Sequence, residues 1–186
     1  MTERTNTPGL TFDRDTHEYF YHGAPVVSVT QVLQDLHRTQ YFGDNAANRG
    51  TLVHEAIRLH TQGNLIMDKV PEEARGYLSG YLSASSALGD GLPEQVVFCP
   101  QKRYCGTVDR LGEEWITDYK TGAPSWWHPY QTAAYEQAVG CKRKRRCLYL
   151  AKDGSYKFVV HKDSTDVLHF NAALDGMHLR RKYNVG

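Results

Sequence analysis

Long hydrophobic runs are missing from this sequence. No apolar stretch exceeds a few residues and mean hydropathy is −0.57, which excludes a membrane-spanning helix, for which about 20 consecutive apolar residues are needed. The first ten residues are polar, so no secretory signal is expected there. Charge of one sign is lacking too. Lys plus Arg number 22 and Asp plus Glu 21, a net charge of +1, so affinity for nucleic acid must come from local clusters and not from a uniformly basic surface. Cysteine is scarce, and four in 186 residues do not make a disulfide scaffold. Internal repeats, low-complexity tracts and long linkers are also absent. What remains, 40% hydrophobic and 23% charged residues, is the composition of a single soluble domain over residues 1–186, expected in the cytoplasm.

The residues that are present sort into elements. Residues 10–12 and 18–21 are short β-prone runs around a polar turn, and Ser28 with Gln31 forms a capping box for a helix through Leu36. Arg49-Gly50-Thr51 opens a helix to about residue 60 whose apolar arc includes Val53, Ala56 and Ile57, with His54 at its edge. Residues 1–48 are therefore an N-terminal extension of hairpin and helix. Pro71 starts a third helix, weakened by Gly76 and Gly80, ending near Gly89. The texture then changes to strand-like runs at 94–99, 103–111 and 114–120, an antiparallel meander. A helix from Pro129 to Val139, strands at 146–151 and 156–160, and a final helix capped by Ser164 complete an α/β or α+β layered domain.

Counting along the meander brings charged residues together. If Gly112-Glu113 is a type II′ turn, Leu111 pairs with Glu114, Asp109 lies opposite Ile116, and Asp109 shares a face with Asp118 and Lys120. A turn centred on Gln101-Lys102 sets Glu94 opposite Asp109. Three carboxylates and a lysine on one patch of sheet suit a hard cation, Mg²⁺ or Mn²⁺, with the lysine placed to orient or activate a water. The alternative is a solvated strand face on which an Asp–Lys pair contributes little.

The ordered set Gly50-Thr51-Leu52-Val53-His54, Glu94, Gly106-Thr107-Val108-Asp109, Asp118-Tyr119-Lys120-Thr121-Gly122 and Gln131 with Tyr135 resembles the RecB-like branch of the PD-(D/E)XK nuclease superfamily. That branch includes the RecB and AddB nuclease domains, Cas4, phage exonucleases and the mitochondrial genome maintenance exonuclease. Residues 19–33, with Gly23 and Ser28-Val29-Thr30, look most like the last of these and its phage relatives. The resemblance implies an α/β restriction-endonuclease-like core: a central mixed β-sheet, the antiparallel meander plus following strands, flanked by helices. It implies Asp109 and Asp118 as metal ligands with the Tyr119 backbone carbonyl a further one, and Lys120 as the catalytic lysine. Glu94 and His54 complete or support the metal site, and Gln131 and Tyr135 present one helix face toward substrate or lysine. Asp118 departs from the Glu that many relatives carry, a shorter carboxylate that the superfamily accepts.

Substrate contacts are read around this set. Trp126 and Trp127, directly after the lysine strand, are candidates to stack on unpaired bases, favouring a single-stranded or frayed end; the alternative is that at least one plugs the core. The basic run Lys142, Arg143, Lys144, Arg145 and Arg146, like Arg180-Arg181-Lys182, is either a phosphate track or a solvated face. Arg49, placed just before the His54 helix, would join the helix N-terminus in binding a terminal phosphate, and the resemblance of the 19–33 segment adds Ser28 and Thr30 as DNA contacts. Cys99 and Cys105 fall on opposite strand faces, and the family's iron–sulfur cysteine pattern is absent, so no such cluster is expected.

The expectation is a DNA exonuclease dependent on one or two Mg²⁺ or Mn²⁺ ions. It would leave 5′-phosphates, act in recombination, repair or end processing, and work in a bacterial or phage-infected cell beside a single-strand annealing protein. A flap or single-strand endonuclease on the same fold, and a catalytically silent DNA-end-binding module, are the alternatives. Ring-shaped relatives leave an oligomer open.

Overall fold

A computed structural model describes residues 2–5, 7–37 and 44–184. The chain runs β1 (Thr2–Arg4), β2 (Leu10–Asp13), β3 (Glu18–Tyr21), β4 (Ala24–Ser28), α1 (Val29–Leu36), α2 (Asp44–Thr61), α3 (Glu72–Leu88), β5 (Leu92–Cys99), β6 (Tyr104–Leu111), β7 (Trp115–Lys120), α4 (His128–Val139), β8 (Lys144–Leu150), β9 (Tyr156–His161) and α5 (Asp166–Tyr183). Among the described residues the nine strands form one mixed sheet in the order β1-β2-β3-β4-β6-β7-β8-β9, with β5 on β6. This is the α/β architecture expected, a mixed central sheet flanked by helices. None of the described helices is long and apolar enough to cross a membrane.

Local chemistry explains most boundaries. Ser28 Oγ accepts the Gln31 N–H at 3.0 Å while Gln31 Oε1 accepts the Ser28 N–H at 2.9 Å, so the capping box starts α1 where its sequence says. Gly76 and Gly80 do not merely weaken α3. A Cβ on Gly76 would sit 1.7 Å from the Lys152 carbonyl oxygen and one on Gly80 3.0 Å from that of Ser155, so the two glycines form a notch that admits the β8–β9 hairpin.

Three expectations are corrected. The His54 helix starts at Asp44, not at Arg49. α5 is entered through Thr165 rather than Ser164, with the Asp163 carboxylate accepting the Thr165 N–H at 2.8 Å. The β6–β7 register pairs Leu111 with Ile116, not with Glu114. Gly112 is not the positive-φ residue of a II′ turn. It donates to the Trp115 carbonyl at 2.9 Å, which centres the turn on Glu113-Glu114. Its missing side chain makes room for the Asp90 carbonyl, 2.5 Å from where a Cβ would lie.

The sheet separates two helix layers. Leu148 and Leu150 of β8 pack into the α2–α3 cluster with Val53, Ile57, Leu78 and Tyr119. Tyr149 between them meets His128 of α4, so the layers lie on opposite faces, since strand side chains alternate. The α4 side holds Val29, Leu33, Tyr104, Val108, Tyr135, Phe170 and Leu174. Strand β6 runs through the middle. β5 covers one edge along its length, in the register predicted from the Gln101-Lys102 turn. The other edge is shared by β4 at Tyr104–Cys105 and β7 at Arg110–Leu111. Residues 106–109 thus lie between two departing strands, and the site is built there.

Candidate metal centre

Asp109 occupies the point where β6 and β7 part. Its Oδ2 accepts the Tyr119 backbone N–H at 2.6 Å, and its Oδ1 lies 3.2 Å from His54 Nδ1. The His54 Nε2 is 3.1 Å from the Tyr119 carbonyl, so the imidazole of α2 is held from both ends by β6 and β7. Glu94 arrives from β5 with φ of 51°, a left-handed backbone inside a strand, at the position opposite Asp109 where the β5–β6 pairing is interrupted. Among the described residues, donor atoms of His54, Glu94 and Asp109 all lie within 4.8 Å of one another.

Asp118 and Lys120 form a second row beside this trio. Lys120 Nζ is 2.5 Å from Asp118 Oδ2 and donates to Gln131 Oε1 at 2.9 Å; Gln131 Nε2 donates to the Tyr135 hydroxyl at 2.9 Å. Gln131 and Tyr135, one turn apart on α4, therefore hold the lysine in place. A Cβ on Gly106 would fall 2.6 Å from Tyr135 Cε1, so glycine in β6 gives the tyrosine ring its seat. Lys120 Nζ also lies 5.7 Å from the centre of the Trp127 ring.

The charges hold one another. Burial disfavours the His54 cation, but the Asp109 carboxylate beside it wins and pushes the imidazole up to about 9. Asp109 is desolvated as well, yet His54, Lys120 and the Tyr119 N–H keep its carboxyl below the usual range. Burial, then the neighbouring Asp109 charge, raises Glu94 to about 7. Asp118 is raised, chiefly by burial. For Lys120, burial is outweighed by Asp118 and its neighbours, so the ammonium is favoured. The Glu94 and Asp109 carboxylate oxygens, with the His54 nitrogen once it gives up its proton, are a donor set that could hold a metal ion.

The structure brings together His54, Glu94, Asp109, Asp118, Lys120, Gln131 and Tyr135. The Tyr119 carbonyl, expected as a ligand, lies against His54 Nε2. The convergence is not the single strand face that parity predicts: His54 comes from the α2 side and Gln131 from the α4 side, and they meet in the gap left by the short ladder.

The expected DNA contacts divide. Trp126 is 51% exposed, whereas Trp127 packs against the core and stacks on His37 at 4.9 Å. Thr30 is exposed, but Ser28 is buried and its hydroxyl serves the helix cap. Arg49 does not stand at a helix start. It lies in the second turn of α2, donates to the Thr121 carbonyl at 3.3 Å and faces the Tyr77 ring.

The basic run divides between exposed and internally held side chains. Lys142 pairs with Glu136 and Lys144 with Glu114, Arg143 donates to the Gly112 carbonyl, and Arg145 is 4% exposed, bound to Asp166 and Glu136. Arg146 is buried between the Trp115 and Phe158 rings. All four cysteines are free thiols.

Two site neighbours escaped the sequence. Cys147 Sγ, on the strand beside β7, is 3.8 Å from Asp118 Oδ2. Arg14 Nη1, at the β2–β3 turn, is 3.8 Å from Glu94 Oε2. The polar turn was visible; its position over β5 was not.

No protein-family model matches the chain, and no curated protein matches it in sequence. Among solved structures, an alkaline exonuclease from Laribacter hongkongensis is similar to it at 14% identity and a TM-score of 0.43, over 86% of this chain and 93% of that one.

Proposed function

We propose that this protein is a divalent-metal-dependent deoxyribonuclease that degrades DNA from its ends and leaves 5′-phosphates, in recombination, repair or end processing. The observation that carries the reading is the meeting of the His54–Glu94–Asp109 donor trio with the Asp118–Lys120–Gln131 row in one gap of the sheet. The trio would hold the cation, with Asp118 next to it. A bound Mg²⁺ or Mn²⁺ polarises the phosphate and lowers the pKa of water.

The chain's own residues do the rest. Lys120 is kept as an ammonium by Asp118, so it acts as a fixed positive charge toward the phosphate and an orienting donor to water, not as a base. Gln131, anchored on Tyr135, aims that charge. Trp126, exposed just beyond the lysine strand, offers an indole face to an unpaired base, which suits a single-stranded or frayed end.

Linear and circular DNA, single- and double-stranded, incubated with Mg²⁺ or EDTA, test the reading. Linear DNA should be degraded only with Mg²⁺, to products with 5′-phosphates, and Lys120→Ala or Asp118→Ala should slow this about 100-fold or more. Cutting of closed circles would indicate an endonuclease, and binding without cleavage an end-binding module. Unchanged hydrolysis in both variants would remove the site.

A further inference from the structure

We propose that the groove between α1, α4 and α5 is a nucleobase subsite, which takes one unpaired base of a DNA strand passing Lys120 and stacks it on Trp126. The inference rests on the nuclease reading above and deepens it, giving the substrate class as single-stranded or frayed DNA and the base a cavity to enter.

The groove has a volume of about 400 Å³, within the range of small-ligand sites. Three of its lining rings stand in a row. Tyr130 lies between Trp126 and His169, with ring centroids 5.8 Å and 5.2 Å away. Along α5 the lining residues Ala172, Ala173 and Gly176 carry no long side chain, which keeps the space beside the rings open. A Cβ on Gly176 would already lie 3.4 Å from Arg180 Nη1. The two tryptophans divide the work: Trp127 packs against the core, and Trp126 is left 51% exposed at the groove.

The groove adjoins the lysine row through consecutive residues. Tyr130 precedes Gln131, which accepts from Lys120 Nζ at 2.9 Å. Trp127, next to Trp126, has its ring centre 5.7 Å from the same Nζ and stacks on His37, whose neighbour Leu36 lines the groove. A strand with a phosphate at Lys120 therefore has one indole between that phosphate and the subsite.

Charge selects the occupant. Among the described residues that line the groove none is acidic, and the cation there is Arg180, whose Nη2 pairs with Asp35. Arg181 and Lys182 follow it, exposed, in the last turn of α5. Aromatic faces beside cations are the pattern that holds a single strand, bases on the rings and phosphates on the positive charges. An apolar segment of protein would use the rings and not the cations.

An end-labelled single strand carrying one abasic nucleotide at successive positions, followed by fluorescence anisotropy with Ca²⁺ replacing Mg²⁺, tests the assignment, because an abasic nucleotide loses its base and keeps its phosphate. Wild-type binding should weaken about fivefold or more at one position, the size expected for one stacked base. Trp126→Ala should weaken the intact strand by the same factor, ignore the abasic nucleotide at that position and keep the salt slope. Ala172→Glu should also weaken the intact strand and ignore that nucleotide. It puts a carboxylate into the groove from an exposed position of α5, where glutamate suits the helix, so it serves even if the indole also supports α4.

A wild-type profile with no sensitive position, or one that persists in both variants, overturns the proposal. So does a wild-type dimer in sedimentation that becomes a monomer in Ala172→Glu with DNA affinity unaltered, since the groove would then be a face for a second copy. Wild-type protein that neither binds the strand nor cuts it with Mg²⁺ would remove the nuclease reading instead.

Discussion

Tyr119 gives its backbone N–H to the Asp109 carboxylate at 2.6 Å, and this one hydrogen bond replaces the next rung of the β6–β7 ladder. A regular antiparallel pair would satisfy that N–H with a carbonyl across the strands. Here a side chain does so, and the strands separate. The separation admits an imidazole from one side of the sheet and an amide from the other, so the site exists because the sheet is locally incomplete.

The seat of Tyr135 is open to test. Gly106→Ala places a methyl 2.6 Å from Tyr135 Cε1 and 3.1 Å from Val29 Cγ2, both in the interior. We expect a stability loss of about 1–3 kcal/mol, seen as a fall in Tm. Hydrolysis should fall with it, because Tyr135 positions Gln131 and Gln131 positions Lys120. In a Tyr135→Leu background the added stability cost of Gly106→Ala should shrink. An undiminished cost would place the clash elsewhere.

Acid should destabilise the fold through His128. Its Nδ1 accepts the Ser125 N–H at 3.2 Å, with the Tyr149 hydroxyl 2.6 Å from the same nitrogen, and a proton on Nδ1 would break the bond from Ser125. Burial, and then the nearby Lys120 charge, push this imidazole down to about 3; burial and Arg145 bring His161 to about 4. Both stay neutral in the fold while the unfolded chain takes up protons below its ordinary value near 6.5. The His128 contribution is therefore full above about pH 6.5 and is lost as pH falls toward 4, by up to about 1.4 kcal/mol per pH unit, with a smaller share from the more exposed His161. Tm measured from pH 8 to 4 should show this slope, and His128→Gln should flatten it by about one proton's worth. A slope unaltered by the substitution would exclude His128.

Cation binding should be visible without turnover. Mn²⁺ at about 100 times its dissociation constant should stabilise the fold by about 2.7 kcal/mol, raising Tm, and EDTA should reverse the rise. His54→Ala and Glu94→Ala should each remove most of it. A full shift in both variants would mean that the ion binds at other residues.

The sequence was most legible where a rule is local. The Ser28–Gln31 capping box and the β5–β6 register each depend on residues a few positions apart, and the structure has both. Gly112 misled because a glycine can serve a turn or a close contact, and only the neighbouring Asp90 carbonyl shows which. The basic run misled for a related reason: the partners of Arg145, Glu136 and Asp166, lie on two different helices. β4 carries no comparable signal, because it is short and holds Pro25, and because its pairing with Tyr104 and Cys105 of β6 lies far along the chain. Within the candidate site, the order of its residues along the chain is legible in the sequence. The gap in which they meet is not, since it depends on where a ladder stops.

Glu94 sits in a backbone conformation that suits glycine, at φ 51°. A side chain there costs on the order of 1 kcal/mol. Replacement by glycine would make the strand easier to fold and remove one carboxylate from the donor trio, so, on the proposed function, selection for sturdiness and selection for chemistry pull in opposite directions at this position. A drifting descendant freed from the proposed duty should lose this glutamate early, and grow more stable as it does.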